Sequence, residues 1–507
     1  MFLQSIKRRF LKNIFTLENT CHFTAFSTVA TQSTGILKRY EQFQQEFPEH
    51  LVLMQVGDFY EIYGEAVDRA ARILDIAITR SPSKQTIQPT AMTGFPIRSF
   101  DTFISKLIRA GVSVVVADQV VLPDSNRFDR KVTRVITPGT VVEENLLDRN
   151  WNNFLLFLDA AELNCAWMDV STGDFFTATC SNESELLSLL ARLKPREVLT
   201  ESSITNQQIT NLFKRSSALI REIPIKKSAV NLSEEGFSKN ELKIAGKLLN
   251  YVKETMRANF ALKPLKRFAP AQHFMSIDAD SFRSLDILTS NSGSPNSTLF
   301  ATLNECKTAL GSRLLSRRLQ APFLDPLEID AALSRVDLFF KLGRGDLEIL
   351  QKKLDEVGDI ERILQRLCLR RPQGVSRDLR SLARSLLVAS EAFDWLKHVV
   401  TGHLLSPELK ASLAVISTAF NEKLPLRDSE GELFAPDFNV ELDELRKLRD
   451  NSAAVFDELA ASYRQLSGIP NLRISVIKGD QHVVEVPKSV KLPSDGKITI
   501  ILFDLFF

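Results

Sequence analysis

The sequence predicts a multi-domain protein: two α/β domains, then a mainly α region, then a short α+β end. Three observations carry this. Strand-length apolar runs alternate with segments of helical spacing as far as about residue 268. From Phe274 onward helical spacing takes over. Two strand-like runs, Leu472–Ile477 and His482–Val486, then follow a long polar helical stretch. A length of 507 residues is enough for three or four domains, each with its own core.

Composition narrows the class. Apolar content of 44% and charge of 25% are ordinary for a soluble globular protein. No apolar run approaches the ~18–20 residues that span a bilayer, so no membrane partner is expected. Cys21, Cys165, Cys180, Cys306 and Cys368 stand far apart with no paired spacing. That pattern argues against a zinc site or a disulfide framework and suits a reducing compartment. The net charge of +2 is unevenly held. Residues 1–35 carry Lys7, Arg8, Arg9 and Lys12 against Glu18, and the remaining chain has 60 basic against 61 acidic residues. Any basic surface must therefore be local.

Residues 1–34 combine these cations with Phe2, Leu3, Ile6, Phe10, Leu11, Ile14 and Phe15 on a helical pattern, followed by a Ser/Thr-rich stretch. One acid in such a span matches a mitochondrial presequence, which places the protein in the mitochondrial matrix; a disordered, uncleaved tail is the alternative.

Residues 35–148 read as the first α/β domain, with a helix near Ile36–Phe47, a strand at 51–56, a helix at 65–74 and a strand near Ile76–Thr79. Phe100, Phe103, Ile104, Leu107 and Ile108 mark a helix with an apolar stripe. Val112–Ala117 reads as a strand buried on both faces. The triplet Phe59-Tyr60-Glu61 falls between the strand at 51–56 and the helix after it, a strand-to-helix junction where side chains are aimed outward from a rigid base. Taken bare, its aromatics read as core and its glutamate as solvated.

Residues 149–268 read as the second α/β domain, with strands at 153–158, Cys165–Val170 and Phe175–Ala178, a turn Ser171-Thr172-Gly173-Asp174, a helix at Leu186–Leu193 and a strand at 197–199. Residues 269–436 are mainly helical. Asp325-Pro326-Leu327-Glu328 is a helix start, behind which Ile329, Leu333, Val336 and Phe340 stack. Arg362, Arg366 and Arg370 share a helical face, and residues 361–390 hold seven arginines against two acids. Pairing with neighbouring helices is favoured there over a DNA-facing role. Residues 437–507 open on one long polar helix at 439–466, followed by the two strands.

Three blocks in order carry a resemblance: Gly57-Asp58-Phe59-Tyr60-Glu61, then Met92-Thr93-Gly94-Phe95-Pro96, then Arg130-Lys131-Val132-Thr133-Arg134-Val135-Ile136-Thr137-Pro138-Gly139-Thr140. Together they resemble the mismatch-binding domain of the MutS family, and the likeness extends over about residues 36–487. It implies a mixed-sheet mismatch-binding domain, a ribonuclease-H-like connector, a helical core and lever domain, and a partial clamp. The implied partner is double-stranded DNA with mispairs or small loops. Phe59 would wedge into the duplex from the minor groove and Glu61 would hydrogen-bond the displaced base. Arg98, Arg130, Lys131, Arg134 and Lys478 are the candidate backbone contacts, which position a duplex without reading its sequence; a solvated face is their alternative.

The resemblance also implies ATP and Mg only for the full-length family, through a C-terminal domain. No Gly-x-x-x-x-Gly-Lys-Ser/Thr loop occurs here, since Gly246-Lys247 and Gly496-Lys497 lack the upstream glycine and the following hydroxyl. No cofactor is expected in this chain, and a dimer is doubtful without that domain. Beyond Pro487 the likeness fades into an apolar end, Ile498–Phe507, which reads as a frameshift, an unspliced intron or a short isoform. Two rival readings stand beside this one. Asp159, Asp169 and Asp174 would serve a metal-dependent nuclease in the connector. Alternatively residues 150–268 would dock repair partners without any grip on DNA.

Overall fold

The computed structural model describes residues 35–81, 90–121, 128–223, 236–257, 260–268, 274–291, 294, 296–369, 374–396, 404–425, 428, 431–477 and 481–485. Residues 1–34, Lys478 and the segment from Val486 onward lie outside the described residues. The chain divides into two compact units. One comprises Met1–Val141, Asn153–Trp167 and Leu193–Arg257; the other comprises Val142–Asn152, Met168–Arg192 and Ala258–Phe507.

The first unit holds a six-stranded sheet of β1 (Leu51–Val56), β2 (Phe59–Tyr63), β3 (Thr79–Ser81), β4 (Thr90–Pro96), β5 (Val114–Val121) and β6 (Phe128–Ile136). Its order is β3-β4-β2-β1-β5-β6. Only β1 and β5 pair parallel; the other pairs are antiparallel, so the sheet is mixed. Val114, Val115, Val116 and Ala117 are fully buried, as expected of a strand covered on both faces. The helix Ile36–Glu46 covers one face through Tyr40 and Phe43, which pack with Val52, Met54 and Tyr63. The helices Val67–Leu74 and Phe100–Arg109 bury Leu74, Ile104 and Leu107.

Three local expectations are corrected here. The triplet does not lie at a strand-to-helix junction. Gly57 and Asp58 form a two-residue turn, and Phe59 opens the second strand of a hairpin, opposite Val56. Gly57 has φ +58°, the left-handed backbone that such tight turns require and glycine adopts without penalty. The strand expected near Ile76–Thr79 begins only at Thr79, after the left-handed cap Asp75 ends the helix. The strand expected at Val112 starts at Val114 and runs on to Val121.

The second sheet comprises β7 (Leu155–Asp159), β8 (Asn164–Asp169), β9 (Asp174–Thr179), β10 (Glu197–Thr200), β11 (Leu219–Glu222) and β12 (Lys266–Arg267), in the order β11-β10-β7-β8-β9-β12. β10 pairs parallel with both β7 and β11. The helix Lys239–Met256 opens with a reciprocal cap in which the Ser238 hydroxyl and the Glu241 carboxylate each accept the other residue's backbone amide.

The second unit is mostly helical from Ala279 onward. Among the described residues the arginines of residues 361–390 are spent internally; Arg370 and Arg371 lie outside them. Arg362 donates to the carbonyls of Asp148 and Trp151, both at 2.7 Å, and Arg366 forks onto Asp378. Arg380 reaches the Glu422 carbonyl and Arg384 pairs with Glu356.

The helix Pro326–Phe340 starts as expected, with the Asp325 carboxylate accepting the Leu327 amide, but none of its residues is buried. Leu333, Val336 and Phe340 are exposed, Phe340 at 84%, so the expected stacking is not present among the described residues. Helical spacing identifies a common face without saying what covers it. The helix expected over 439–466 is two, Val440–Asp450 and Ser452–Ser467, broken at Asn451. Asp450, Asn451 and Ser452 in a row explain the break, because short polar side chains compete with the helical backbone. β13 (Arg473–Ile477) and β14 (Gln481–Glu485) close the described chain as an antiparallel hairpin.

Candidate nucleic-acid interface

The site is built on the β1–β2 hairpin. Side chains alternate along a strand, so Phe59, Glu61 and Tyr63 share one face of β2 while Tyr60 and Ile62 share the other. Phe59 is 46% exposed, whereas Tyr60 is 5% exposed and packs against Phe95 and Phe100, with ring centroids 6.1 and 5.0 Å away. The Tyr60 hydroxyl donates to Asp118 at 2.6 Å, and burial together with that carboxylate raises its pKa. Of the two adjacent aromatics, one anchors the strand and the other stands out of the surface. Glu61 is half-buried and accepts the Tyr63 hydroxyl.

The second sequence block lies beside the first. In the β2–β4 register Phe59 faces Pro96, Tyr60 faces Phe95 and Glu61 faces Gly94. A Cβ at Gly94 would stand 2.6 Å from the Tyr60 carbonyl oxygen and 3.3 Å from Glu61 Cγ, so only glycine leaves room for both. The third block is the end of β6 and the turn after it, on the far side of β1 and β5 in the same sheet.

Comparison with known families agrees with this geometry. The chain matches the models for MutS domain I over residues 34–145, MutS domain II over 158–266 and MutS domain III over 280–472. The chain belongs to the MutS family. The DNA mismatch repair protein MutS of Thermus thermophilus is 32% identical over 467 residues, which are 91% of this chain and 55% of that protein. The protein of the same name from Thermus aquaticus is 32% identical over 443 residues, 87% of this chain and 52% of its own length. That of Dehalococcoides mccartyi is 33% identical over 483 residues, 89% and 55%. The chain thus spans about half the length of the curated relatives it matches.

Within this MutS-family chain the candidate cations have different surroundings. Arg98 is exposed in the short turn Ile97–Ser99, and the Ile97 amide donates to the Asp58 carbonyl at 2.9 Å, which holds that turn against the hairpin. Arg130 is half-buried, with Nε donating to the Gln55 carbonyl at 3.0 Å. Lys131 is exposed. Arg134 lies over the Phe100 ring, 4.7 Å from its centroid. Arg98 and Lys131 present charge outward, while Arg130 and Arg134 brace the sheet beneath the hairpin.

Domain II does not favour a nuclease. Asp169 is fully buried, and it accepts the Ser171 amide at 2.9 Å and the Asn152 side-chain amide at 2.8 Å. Asp174 is the first residue of β9 rather than a turn residue, and it pairs with Lys263 at 2.9 Å and Arg317 at 3.2 Å. Among the described residues no three His, Cys, Asp or Glu side chains form a metal-binding group, and no helix is long and apolar enough to cross a membrane. Gly246-Lys247 lies inside the helix Lys239–Met256, with Lys247 paired to Glu201 at 2.7 Å, so it is no phosphate cradle.

Sequence reasoning missed two residues that shape this region. Tyr63 holds Glu61, and Glu197 grips the turn that follows β6. The alternation of β2 would have found Tyr63. Nothing local marks Glu197, whose hydrogen-bond partners Thr137, Gly139 and Tyr251 lie 54 to 60 residues away and whose ionic partner Arg221 follows it by 24.

Proposed function

We propose that this chain recognises mispaired duplex DNA and serves DNA mismatch repair. The observation that carries the reading is an exposed phenylalanine, Phe59, at the start of a strand whose next residue is locked into the core, with a carboxylate two residues on along the same face. An apolar ring held this way can enter a base step from the minor groove, and it does so at least cost where pairing is already poor. Glu61 then accepts a hydrogen bond from the displaced base. A carboxylate near phosphates repels any duplex that offers no such partner, so the same residue penalises binding to paired DNA.

Arg98 and Lys131, with Lys478 outside the described residues, supply the backbone contacts in this reading; the names of the Thermus relatives support it. ATP and magnesium belong to the full-length family, and we assign them no residue of this chain. The cationic, acid-poor residues 1–34 support mitochondrial import. Import assayed with isolated mitochondria tests that, and a chain left uncleaved and outside the organelle would contradict it. The function itself is tested by equilibrium binding of the full chain to a labelled duplex with one central mispair and to its fully paired counterpart. Tighter binding to the mispaired duplex is expected, and equal binding overturns the reading.

A further inference from the structure

We propose that Tyr63 is a positioning residue for Glu61: its hydroxyl anchors one carboxylate oxygen, so the other is presented to the displaced base with a fixed aim. The inference rests on the mismatch-recognition reading above and assigns a role to a residue outside the Phe59–Glu61 pair.

Tyr63 stands two positions after Glu61 on β2, on the same face, and its O–H donates to Glu61 Oε2. The ring is itself immobile. It is buried, packs edge to face against Tyr40 with centroids 5.2 Å apart, and shares a core cluster with Val52 and Met54. Tyr40 is held in turn, its hydroxyl donating to the Val52 carbonyl at 3.3 Å. Burial, then the Glu61 carboxylate, push the Tyr63 pKa up, while Arg130 opposes the shift. The phenol therefore keeps its proton and acts as a donor throughout the working pH range. On the other flank Gly94 carries no side chain, which leaves room for the Glu61 methylenes.

Physical chemistry supplies the consequence. A free glutamate on a surface strand samples several rotamers, and docking a base on it costs the loss of that freedom. A carboxylate already tied by one oxygen has lost most of it before DNA arrives. Preorganisation of one such side chain corresponds to roughly two- to tenfold in affinity for the partner that needs it. Paired DNA makes no bond to Glu61 and gains nothing from the arrangement, so the effect falls on selectivity.

The test uses the full chain, a labelled duplex with a central G·T mispair and its paired counterpart. Tyr63→Phe keeps the ring and its packing on Tyr40 and removes only the hydroxyl. The ratio of paired to mispaired dissociation constants should fall roughly two- to tenfold, with affinity for paired DNA and the unfolding temperature unchanged. In a Glu61→Ala background the same substitution should change nothing further. A ratio equal to wild type, or an equal loss on top of Glu61→Ala, overturns the positioning role while leaving the functional reading intact. A wild-type chain with no preference for the mispair sinks the functional reading and this inference with it.

Discussion

The Glu197 carboxylate accepts the backbone amide of Gly139 at 3.0 Å, deep in a site where Glu197 has no solvent exposure. The same carboxylate accepts the hydroxyls of Thr137 and, at 2.7 Å, of Tyr251, and stands 3.4 Å from Arg221 Nε. The turn Thr137-Pro138-Gly139-Thr140 that leaves β6 is thereby tied to the first residue of β10.

Removing that carboxylate strands several partners at once. Glu197→Ala deprives the buried Gly139 amide and the Tyr251 hydroxyl of their acceptor and leaves Arg221 with Glu49 as its carboxylate, and truncating one side of a buried charge pair costs about 3–5 kcal/mol. Thermal denaturation should show a large drop in unfolding temperature. A loss no greater than that of an exposed-residue control would mean that the grip contributes little. Gly139→Ala tests the same place by steric means, because its Cβ would stand 2.7 Å from Leu155 Cδ1 and 2.9 Å from Glu197 Cβ. It should destabilise as well.

In the second unit Arg313 is almost fully buried and forks onto Asp359 at 2.6 and 2.8 Å, with Glu361 at 2.8 Å. Burial alone would lower the arginine's pKa, but its two carboxylates outweigh that and raise it, and Arg313 keeps the Asp359 carboxyl below the usual range. Arg313→Ala should therefore cost about 3–5 kcal/mol, most of it the burden of the Asp359 carboxylate without its bidentate partner, while Glu361 keeps Lys263. Chemical denaturation checks this, and a midpoint within error of wild type would count against it.

His50 makes stability depend on pH. Its ring stands edge to face with Phe47 at 5.9 Å, and Nε2 is 3.5 Å from Arg221, which also pairs with Glu49 at 2.8 Å. Burial first, and the Arg221 charge second, lower its pKa to about 4. The unfolded chain titrates this residue near the ordinary histidine value of 6.5. Between those values the unfolded state binds the proton and the folded state does not, so stability falls as pH drops from about 6.5 to about 4. Unfolding temperature measured across that window should decline less steeply in His50→Gln than in wild type. Parallel curves would remove His50 as the cause.

Much of the architecture was legible because its signals are contiguous. Val114–Ala117, the stripe on Phe100–Arg109 and the cap at Asp325 each announce themselves within a few residues. The three blocks around Phe59, Gly94 and Arg134 likewise fall on one sheet. What escaped has two physical causes. Local polar chemistry was under-read at Gly57-Asp58, a hairpin turn, and at Asp450-Asn451-Ser452, a helix break. Long-range partners were invisible by nature: Glu197 with Thr137, Arg313 with Asp359, and the uncovered face of Leu333, Val336 and Phe340 depend on what the chain brings near.

The wedge is tested most directly by Phe59→Ala, with binding of mispaired and paired duplex measured over a series of salt concentrations. Loss of the ring should weaken mispair binding by about 1–3 kcal/mol, the scale of one aromatic–base stack. The slope of affinity against salt should stay as in wild type, because phosphate contacts set it. A variant that keeps the full preference for mispaired DNA would contradict the role assigned to Phe59.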